Sequence, residues 1–340
     1  MIKFKNIRLA KTKALKTFAF LGLAFLFSGC PIFNNDYDFE YHTIVEKTPV
    51  NLEDLNTEYD DYNSDLPYDG GRQYIYFSSN RNSSGGNFDI VHKYFDVSYH
   101  EKDDIVNIDW PMNYADEFEQ KLFKLINTES DQLGPLFLEG LKGTQYFFYA
   151  ENDSGNFDIK VIHTPRLDWG TYQAQKRLFG PVKLKGINST FDDYYPTINQ
   201  DNTKMWFCSN REKGQFDIYS LPLNPDEYLY ETLNKTGLAI VKEAVLSGGA
   251  DDKCPILFGD YMIFTSNRPG GFGGFDLYYS KLVNNQWTSP VNFGAQINSA
   301  SDEYRPFPFQ IGEKTVVIFS SNRPGGKGGF DLYAVRIELK

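Results

Sequence analysis

Residues 263–280 read IFTSNRPGGFGGFDLYYS, and residues 318–335 nearly repeat them as IFSSNRPGGKGGFDLYAV. Three weaker copies precede them, and these begin at Tyr76, Phe148 and Trp206. The five copies close with aspartates that lie 69, 59, 59 and 55 residues apart, namely Asp89, Asp158, Asp217, Asp276 and Asp331. A recurring period of this size predicts a solenoid, a propeller or another array of equal units.

One repeat unit, residues 290–337, contains four short apolar runs separated by Gly, Pro and Asn turns. Such runs are typical of antiparallel strands. The glycine pairs in the loop 323–329 suit a tight turn, because glycine adopts a positive φ without steric cost. A four-stranded sheet repeated around an axis is the blade of a β-propeller. The sequence therefore predicts an all-β fold built of four-stranded antiparallel blades.

The number of blades follows from the two ends of the repeat array. Residues 49–52 match the fourth strand of a unit, while the array finishes at a third strand near residue 337. Pairing the first of these segments with the last blade closes the ring and removes an open sheet edge. Five motifs and five fourth strands predict five blades. A sixth blade hidden in residues 96–130 is the alternative.

The SNRPGG-x-GGFDLY core and its P-V-x-[LF] and D-E-x-x-P flanks resemble the TolB-type, WD40-like β-propeller repeat. The resemblance covers residues 49–340 and is strongest in the last two units. It implies an envelope lipoprotein of a Gram-negative bacterium, of the kind common in species that use type IX secretion. Such relatives serve as scaffolds or binding modules.

The N-terminal residues are typical of a bacterial lipoprotein signal peptide. Residues 1–29 carry six Lys and Arg and no acid, followed by an apolar run too short to span a bilayer. The sequence FSGC at 27–30 resembles a lipobox, which implies that Cys30 is lipidated. The predicted organisation is a signal peptide over 1–29, a tether over 30–48 and a propeller over 49–340. The predicted location is the outer membrane, with the side left open.

The charge of the chain excludes nucleic acid as a partner. The net charge is −11, and removal of residues 1–29 with their six positive charges leaves −17. A protein this acidic is repelled by phosphate backbones. The predicted partners are therefore the membrane, through the lipid, and an envelope protein, with a glycan as the alternative.

Charged side chains gather on the face where the blade corners and motif loops emerge. One interpretation is a charged ligand mouth, and the other is that each arginine pairs with a corner acid. Recurrence in several blades favours pairing. The residues of this candidate ligand face are Arg81, Arg211, Arg268, Arg323, Asp193, Asp252 and Glu303. The aspartates that close the motifs are expected to accept backbone N–H bonds in the loops.

Three segments break the repeat and carry aromatic side chains. Exposed loop aromatics are typical of partner-binding surfaces, and packing over the blade edges is the alternative. The candidate partner-binding residues are Trp110, Tyr114, Trp169, Tyr172, Tyr228 and Tyr230.

Neither a catalytic set nor a metal or cofactor site is predicted. The four histidines lack the spacing of metal ligands, and the corner acids lack that of calcium loops. A glycosidase needs two carboxylates, and here such acids should break the repeat on an inner strand, whereas the corner acids obey it. We therefore expect a non-catalytic, outer-membrane-anchored propeller that binds proteins and is not an enzyme. A carbohydrate-active propeller enzyme or a glycan-binding module is the alternative.

Two cysteines besides Cys30 occupy neighbouring units. Cys208 ends a second strand and Cys254 begins the first strand of the next unit, on the same face. Both depart from the residues at equivalent positions in other units. A disulfide, which needs Cα atoms within about 7 Å, and two separate buried thiols both remain open.

Overall fold

Five antiparallel sheets, one for each copy of the repeat, build the described part of the chain. The computed structural model describes residues 41–66, 73–111, 117–152, 155–165, 177–212 and 214–339. The predicted all-β, five-bladed propeller is confirmed. No helix among these residues is long and apolar enough to cross a membrane.

In each blade the strands follow one another from the propeller axis outward. Blade 1 contains β3 (Asp61–Asp65), β4 (Gln73–Ser79), β5 (Asp89–His100), β6 (Ile105–Asp109) and β1 (Thr43–Val45). Blade 2 contains β7 (Gln132–Glu139), β8 (Gln145–Glu151), β9 (Asp158–His163) and β10 (Phe179–Lys183). Blade 3 contains β11 (Asp193–Ile198), β12 (Lys204–Ser209), β13 (Asp217–Pro222) and β14 (Val241–Lys242).

The last two blades complete the ring. Blade 4 contains β15 (Asp252–Phe258), β16 (Tyr261–Ser266) and β17 (Asp276–Val283), with β18 (Gln286–Trp287) and β19 (Val291–Asn292) both paired to β17. Blade 5 contains β20 (Glu303–Ile311), β21 (Lys314–Ser321), β22 (Asp331–Ile337) and β2 (Val50–Asn51). The α-helices are α1 (Glu117–Ile126) and α2 (Leu229–Thr232), and 3-10 turns span Arg81–Ser83 and Leu141–Gly143.

The ring closes as the sequence predicts. The innermost strand of each blade contacts that of the next, and β20 of blade 5 contacts β3 of blade 1. The early strand β2 pairs antiparallel with β22, with Val50 opposite Ala334. The chain therefore supplies the outer strand of its last blade from its N-terminal side, which leaves no unpaired edge on β22.

The long segment between the first two motifs is not a sixth blade. In its described part, β5 and β6 form an extended hairpin, and α1 follows. The helix buries Leu122 and Ile126 against Tyr76 and Phe147, which belong to blades 1 and 2. The outer strand β1 pairs with β6, so residues 43–45 form a blade strand although they lie in the predicted tether.

The apolar alternation of the second strands fills the spaces between blades. On β4, Ile75 and Phe77 enter a cluster with Ile318 of blade 5, whereas Tyr76 enters the cluster shared with blade 2. Successive strand residues point to opposite faces, so one strand joins two neighbouring blades. Each fully buried aliphatic or Phe side chain stabilises the fold by about 1.5–3 kcal/mol.

Every innermost strand has an irregularity of register after its second residue. The next residue in all five strands has a positive φ, which is 51° at Tyr195, 53° at Cys254 and 47° at Arg305. Asn63 and Gly134 occupy the same position in blades 1 and 2, each with a φ of 61°. A β-bulge redirects side chains and bends the strand. This repeated bulge determines which side chains lie around the propeller axis.

Candidate functional site

Each blade except the second joins an arginine to a corner acid on the face where the motif loops emerge. The Nη2–carboxylate distance is 2.6 Å for Arg81–Asp61, Arg211–Asp193 and Arg268–Asp252, and 2.9 Å for Arg323–Glu303. Blade 2 has Gln132 at the position of the acid. We call the four Arg–acid pairs the corner clasps.

The corner clasps hold the chain where it turns into each innermost strand. In blade 5, Arg323 also donates to the carbonyl of Ile297 at 2.8 Å, and Glu303 accepts the backbone N–H of Ser299 at 2.8 Å. Burial raises the pKa of Asp252 and of Glu303, although the arginine beside each acts in the opposite direction. The predicted ligand-face residues are therefore parts of the frame, and the pairing interpretation describes them.

In blades 4 and 5 the motif aspartates order the glycine-rich loops as predicted, whereas Asp158 and Asp217 pair with Lys183 and Lys242. In blade 4, Asp276 accepts the backbone N–H groups of Phe272 at 2.7 Å and Gly273 at 3.1 Å. A Cβ atom at Gly271 would lie 2.4 Å from the Asp276 carboxylate. The loop therefore requires glycine there so that the backbone can wrap around the carboxylate.

Inside the corner clasps, aromatic side chains form a ring around the axis. The residue after each corner acid fits between the motif phenylalanines of its own blade and the preceding blade. Tyr304, for example, has ring-centroid distances of 5.3 Å to Phe275 and 6.5 Å to Phe330. We call this ring the aromatic collar, and its residues are Tyr62, Tyr194, Tyr304, Phe88, Phe157, Phe216, Phe275 and Phe330, with Leu133 and Lys253 at the equivalent positions of blades 2 and 4.

The collar surrounds a cavity of about 290 Å³ on the propeller axis. Tyr195 lines the cavity in addition to collar residues, and Asp192 and Asp302 lie at its rim. The collar aromatics are half-buried, and those that line the cavity are Tyr62, Tyr194, Tyr304, Phe216, Phe275 and Phe330. A larger cavity of about 680 Å³ lies away from the axis, where Lys314 and Arg336 both pair with Asp104.

The polar groups of the collar have definite protonation states. Burial raises the pKa of Tyr62, Tyr194 and Tyr304 far above neutrality, so their hydroxyls keep their protons. The ammonium of Lys253 lies 4.0 Å from the ring centroid of Phe216 and 5.2 Å from that of Phe275. Lys253 is the single cation among the collar residues.

The rim carboxylates are anchored by hydrogen bonds from two sides. Asp192 accepts the backbone N–H of Phe157 at 2.9 Å and the Nδ2 group of Asn210 at 3.2 Å. Asp302 accepts equivalent bonds from Phe275 at 2.8 Å and from Asn322 at 3.2 Å. Among the described residues, no group of three or more His, Cys, Asp and Glu is placed to hold a metal ion.

The predicted partner-binding aromatics that the structure describes pack locally. Trp110 contacts Phe95 at a centroid distance of 5.8 Å, with the ammonium of Lys93 over its ring. Tyr230 stacks on His163 at 4.0 Å and on Tyr228 at 5.7 Å. These side chains cover blade edges, so the packing alternative applies to them. Tyr114, Trp169 and Tyr172 lie outside the described residues, as does Cys30.

The two cysteines meet beside the axis as separate thiols. Cys208 and Cys254 are both free and fully buried, and they share a cluster with Tyr195. Burial raises the pKa of Cys208 to about 12 and that of Cys254 well above its usual value. Their predicted proximity is therefore observed, with both sulfurs in the neutral thiol form.

Sequence reasoning missed the collar, although two signals for it are present in the sequence. The motif phenylalanines appeared only as part of the FD signature, although they supply five of the ring positions. The other signal is the residue after each corner acid, which reads Tyr, Leu, Tyr, Lys and Tyr in blades 1 to 5. This position varies between blades although the residue before it is an acid in four of them, and the variation marks the site.

Comparison with known proteins identifies the fold. No protein-family model and no curated protein matches the chain. An endo-arabinase from Bacteroides thetaiotaomicron VPI-5482 is similar in structure, with a TM-score of 0.52 and 12% identity over 87% of this chain and 99% of that chain. An exo-1,5-α-L-arabinanase from a bovine ruminal metagenomic library has a TM-score of 0.45 and 9% identity over 84% of this chain and 96% of that chain.

These findings change the expected class of the protein. The likeness to the endo-arabinase supports the propeller fold but not the TolB-type lipoprotein class. It contradicts the prediction that the chain is not an enzyme, because a solved propeller that the chain resembles is an endo-arabinase. At 12% identity the likeness shows the fold and transfers no residue, so the activity has to be argued from the site.

Proposed function

We propose that the protein is a carbohydrate-active propeller that binds a glycan at the aromatic collar. The observation that carries this proposal is the convergence of six half-buried collar aromatics, Tyr62, Tyr194, Tyr304, Phe216, Phe275 and Phe330, on one axial cavity. Sugar rings have apolar C–H faces that pack on aromatic rings, and amphipathic tyrosines combine such packing with hydrogen bonding. A cavity of about 290 Å³ is at the small end of ligand sites and suits about one or two sugar units.

The polar groups around the cavity complement a sugar. The three collar tyrosines keep donor hydroxyls, because burial raises their pKa values. The carboxylates of Asp192 and Asp302 supply acceptors, and Lys253 supplies a cation. Sugar hydroxyls both donate and accept hydrogen bonds, so this mixture satisfies them from several sides.

Cleavage of the bound glycan is the second candidate function. It is favoured by the endo-arabinase likeness and by the presence of two carboxylates at the cavity. Glycosidases use a carboxyl pair about 5–9.5 Å apart, one of them a proton donor. The backbone N–H bonds to Asp192 and Asp302 fix the position of both carboxylates beside the cavity.

Titration calorimetry with a panel of oligosaccharides tests the proposal, with α-1,5-linked arabino-oligosaccharides as the first probe. We expect saturable binding to at least one member, lost in Tyr194→Ala. The matched control is Tyr279→Ala, since Tyr279 packs on Phe293 at 5.0 Å outside the collar. The proposal is contradicted if no neutral or acidic oligosaccharide binds, or if both variants lose affinity equally. Release of reducing ends, compared between wild type and Asp192→Asn, tests cleavage separately.

We also propose that a lipid on Cys30 anchors the chain to the outer membrane. The support is the basic, then apolar, N-terminal sequence ending in FSGC. Two or more acyl chains hold a protein firmly at a bilayer. We expect Cys30→Ala to leave the membrane fraction or to remain unprocessed in fractionated cells. A Cys30→Ala protein that is processed and sediments with membranes like wild type contradicts the anchor.

A further inference from the structure

Below the aromatic collar, the repeated bulge places an arginine inside the protein. Arg305 is 1% exposed and has a positive φ of 47°. Its Nη2 group donates to the carbonyl of Pro135 at 2.9 Å, across the axis in blade 2. Arginine is costly both to bury and to hold in this backbone conformation, and such strain is usually retained for a function.

Most of the Arg305 guanidinium lacks a protein partner. Neither Nε nor Nη1 has a hydrogen-bond acceptor among the described residues, although both are buried. The guanidinium lies over the ring of Tyr195, 4.9 Å from the centroid, and no carboxylate in the described chain forms an ion pair with it. Buried N–H groups of a charged side chain are expensive to leave unmatched. A group outside the described residues must accept them.

The surroundings of Arg305 favour a negative partner over water alone. Tyr195, Cys208 and Cys254 pack beside it, and burial holds all three in their neutral forms. The carboxyl of Asp65, on β3, also interacts with Arg305, and its Oδ2 accepts the backbone N–H of Phe137 at 2.8 Å. Burial raises the pKa of Asp65 to about 7. Below that pH the group around Arg305 carries a net positive charge.

We propose that Arg305 forms an internal binding site for a small monovalent anion, of halide or formate size, on the propeller axis. The anion accepts the free N–H groups of Nε and Nη1. Tyr195 lines the collar cavity and also contacts Arg305, and its hydroxyl accepts a bond from Asn63 at 3.1 Å. The ion therefore lies directly beneath the glycan site and stabilises the residue that the two sites share.

Thermal unfolding of the purified full chain tests the site, with gluconate replaced by bromide at constant ionic strength. At pH 6 we expect bromide to raise the midpoint saturably, by about 3 °C at ten times its dissociation constant. At pH 8 the shift should shrink, because ionised Asp65 neutralises Arg305. Asp65→Asn should keep the full shift at pH 8. Lys253→Met, which removes the collar cation, should leave the shift unchanged.

Two results would overturn the proposal. One is the same bromide shift in Arg305→Met as in the wild type. The other, which needs no variant to fold, comes from wild-type crystals grown in bromide. The proposal expects an anomalous peak within contact distance of Nε or Nη1 of Arg305. Water alone at that position, with bromide only on the surface, contradicts the proposed anion site.

Discussion

The corner clasps and the aromatic collar use adjacent residues of the same strands for opposite purposes. Glu303 forms a clasp with Arg323, whereas Tyr304 turns its ring toward the axis. The clasp position is an acid in four blades, and its partner arginine recurs with it. The collar position changes among Tyr, Leu and Lys. The residues that recur in most blades build the frame, and the residues that differ between blades form the site.

The largest expected effect comes from breaking a clasp. Arg323→Met leaves the Glu303 carboxylate buried without its cation, and removing one partner of a buried pair costs about 3–5 kcal/mol. Urea unfolding should show a loss of that order in the free energy of unfolding. Lys327→Met in the neighbouring exposed loop is the control and should stay within about 0.5 kcal/mol. A loss below about 1 kcal/mol in Arg323→Met would show that the clasps are not part of the frame.

The second prediction contrasts a clasped acid with an unclasped one on the same strand. Asp61 pairs with Arg81, but Asp65 has no ion pair among the described residues. Burial raises the pKa of Asp65 from 3.8 to about 7, a shift equivalent to about 4 kcal/mol. The folded state thus loses stability as pH rises from about 4 to about 7, because the unfolded chain ionises first.

Replacing Asp65 with Asn removes this penalty. We expect Asp65→Asn to be more stable than wild type at pH 8, by about 2–4 kcal/mol, and nearly equal to it at pH 4. Denaturant titrations at the two pH values measure the difference. A variant that is equally or less stable at pH 8 would show that the buried carboxyl is compensated in the native protein.

The clasps follow directly from the sequence, because a propeller repeats its structural residues and repetition is visible in one chain. The number of blades and the closing strand β2 can be predicted from the sequence for the same reason. The collar cannot, because a bulge in each innermost strand turns the residue after the corner acid toward the axis. Nothing in the local sequence states that Arg305 and Tyr195 share one conformation.

The described loop aromatics pack locally for a related reason. Trp110, Tyr228 and Tyr230 stand out in the sequence because their segments break the repeat. Insertions of this kind add apolar surface at blade edges, and the aromatics cover it, as Tyr230 does with His163. Departure from a repeat therefore indicates a binding residue only where the departing residue faces the axis.

A third prediction separates binding from stability within the collar. Tyr304→Leu keeps an apolar side chain between Phe275 and Phe330 but loses the ring and hydroxyl that face the cavity. We expect glycan affinity to fall about tenfold, since stacking and one hydrogen bond together contribute about 1–2 kcal/mol. Unfolding should change by less than about 1 kcal/mol. An unchanged affinity would place the glycan elsewhere.

The smallest effect on stability, and the most selective effect on binding, is expected for Lys253→Tyr. This change gives blade 4 the residue that blades 1, 3 and 5 already have. A tyrosine fits between Phe216 and Phe275 as Tyr304 fits between its own neighbours, so the lost cation–π contact of about 0.5–1 kcal/mol is largely replaced. The collar then holds no cation, while the carboxylates of Asp192 and Asp302 remain at the rim.

We expect affinity for uronic-acid oligosaccharides to fall about tenfold relative to neutral ones, because a charged hydrogen bond of about 1.5–3 kcal/mol is lost. Paired calorimetric titrations with an acidic and a neutral oligosaccharide measure that ratio. If both affinities fall together, Lys253 supports the collar without selecting among ligands.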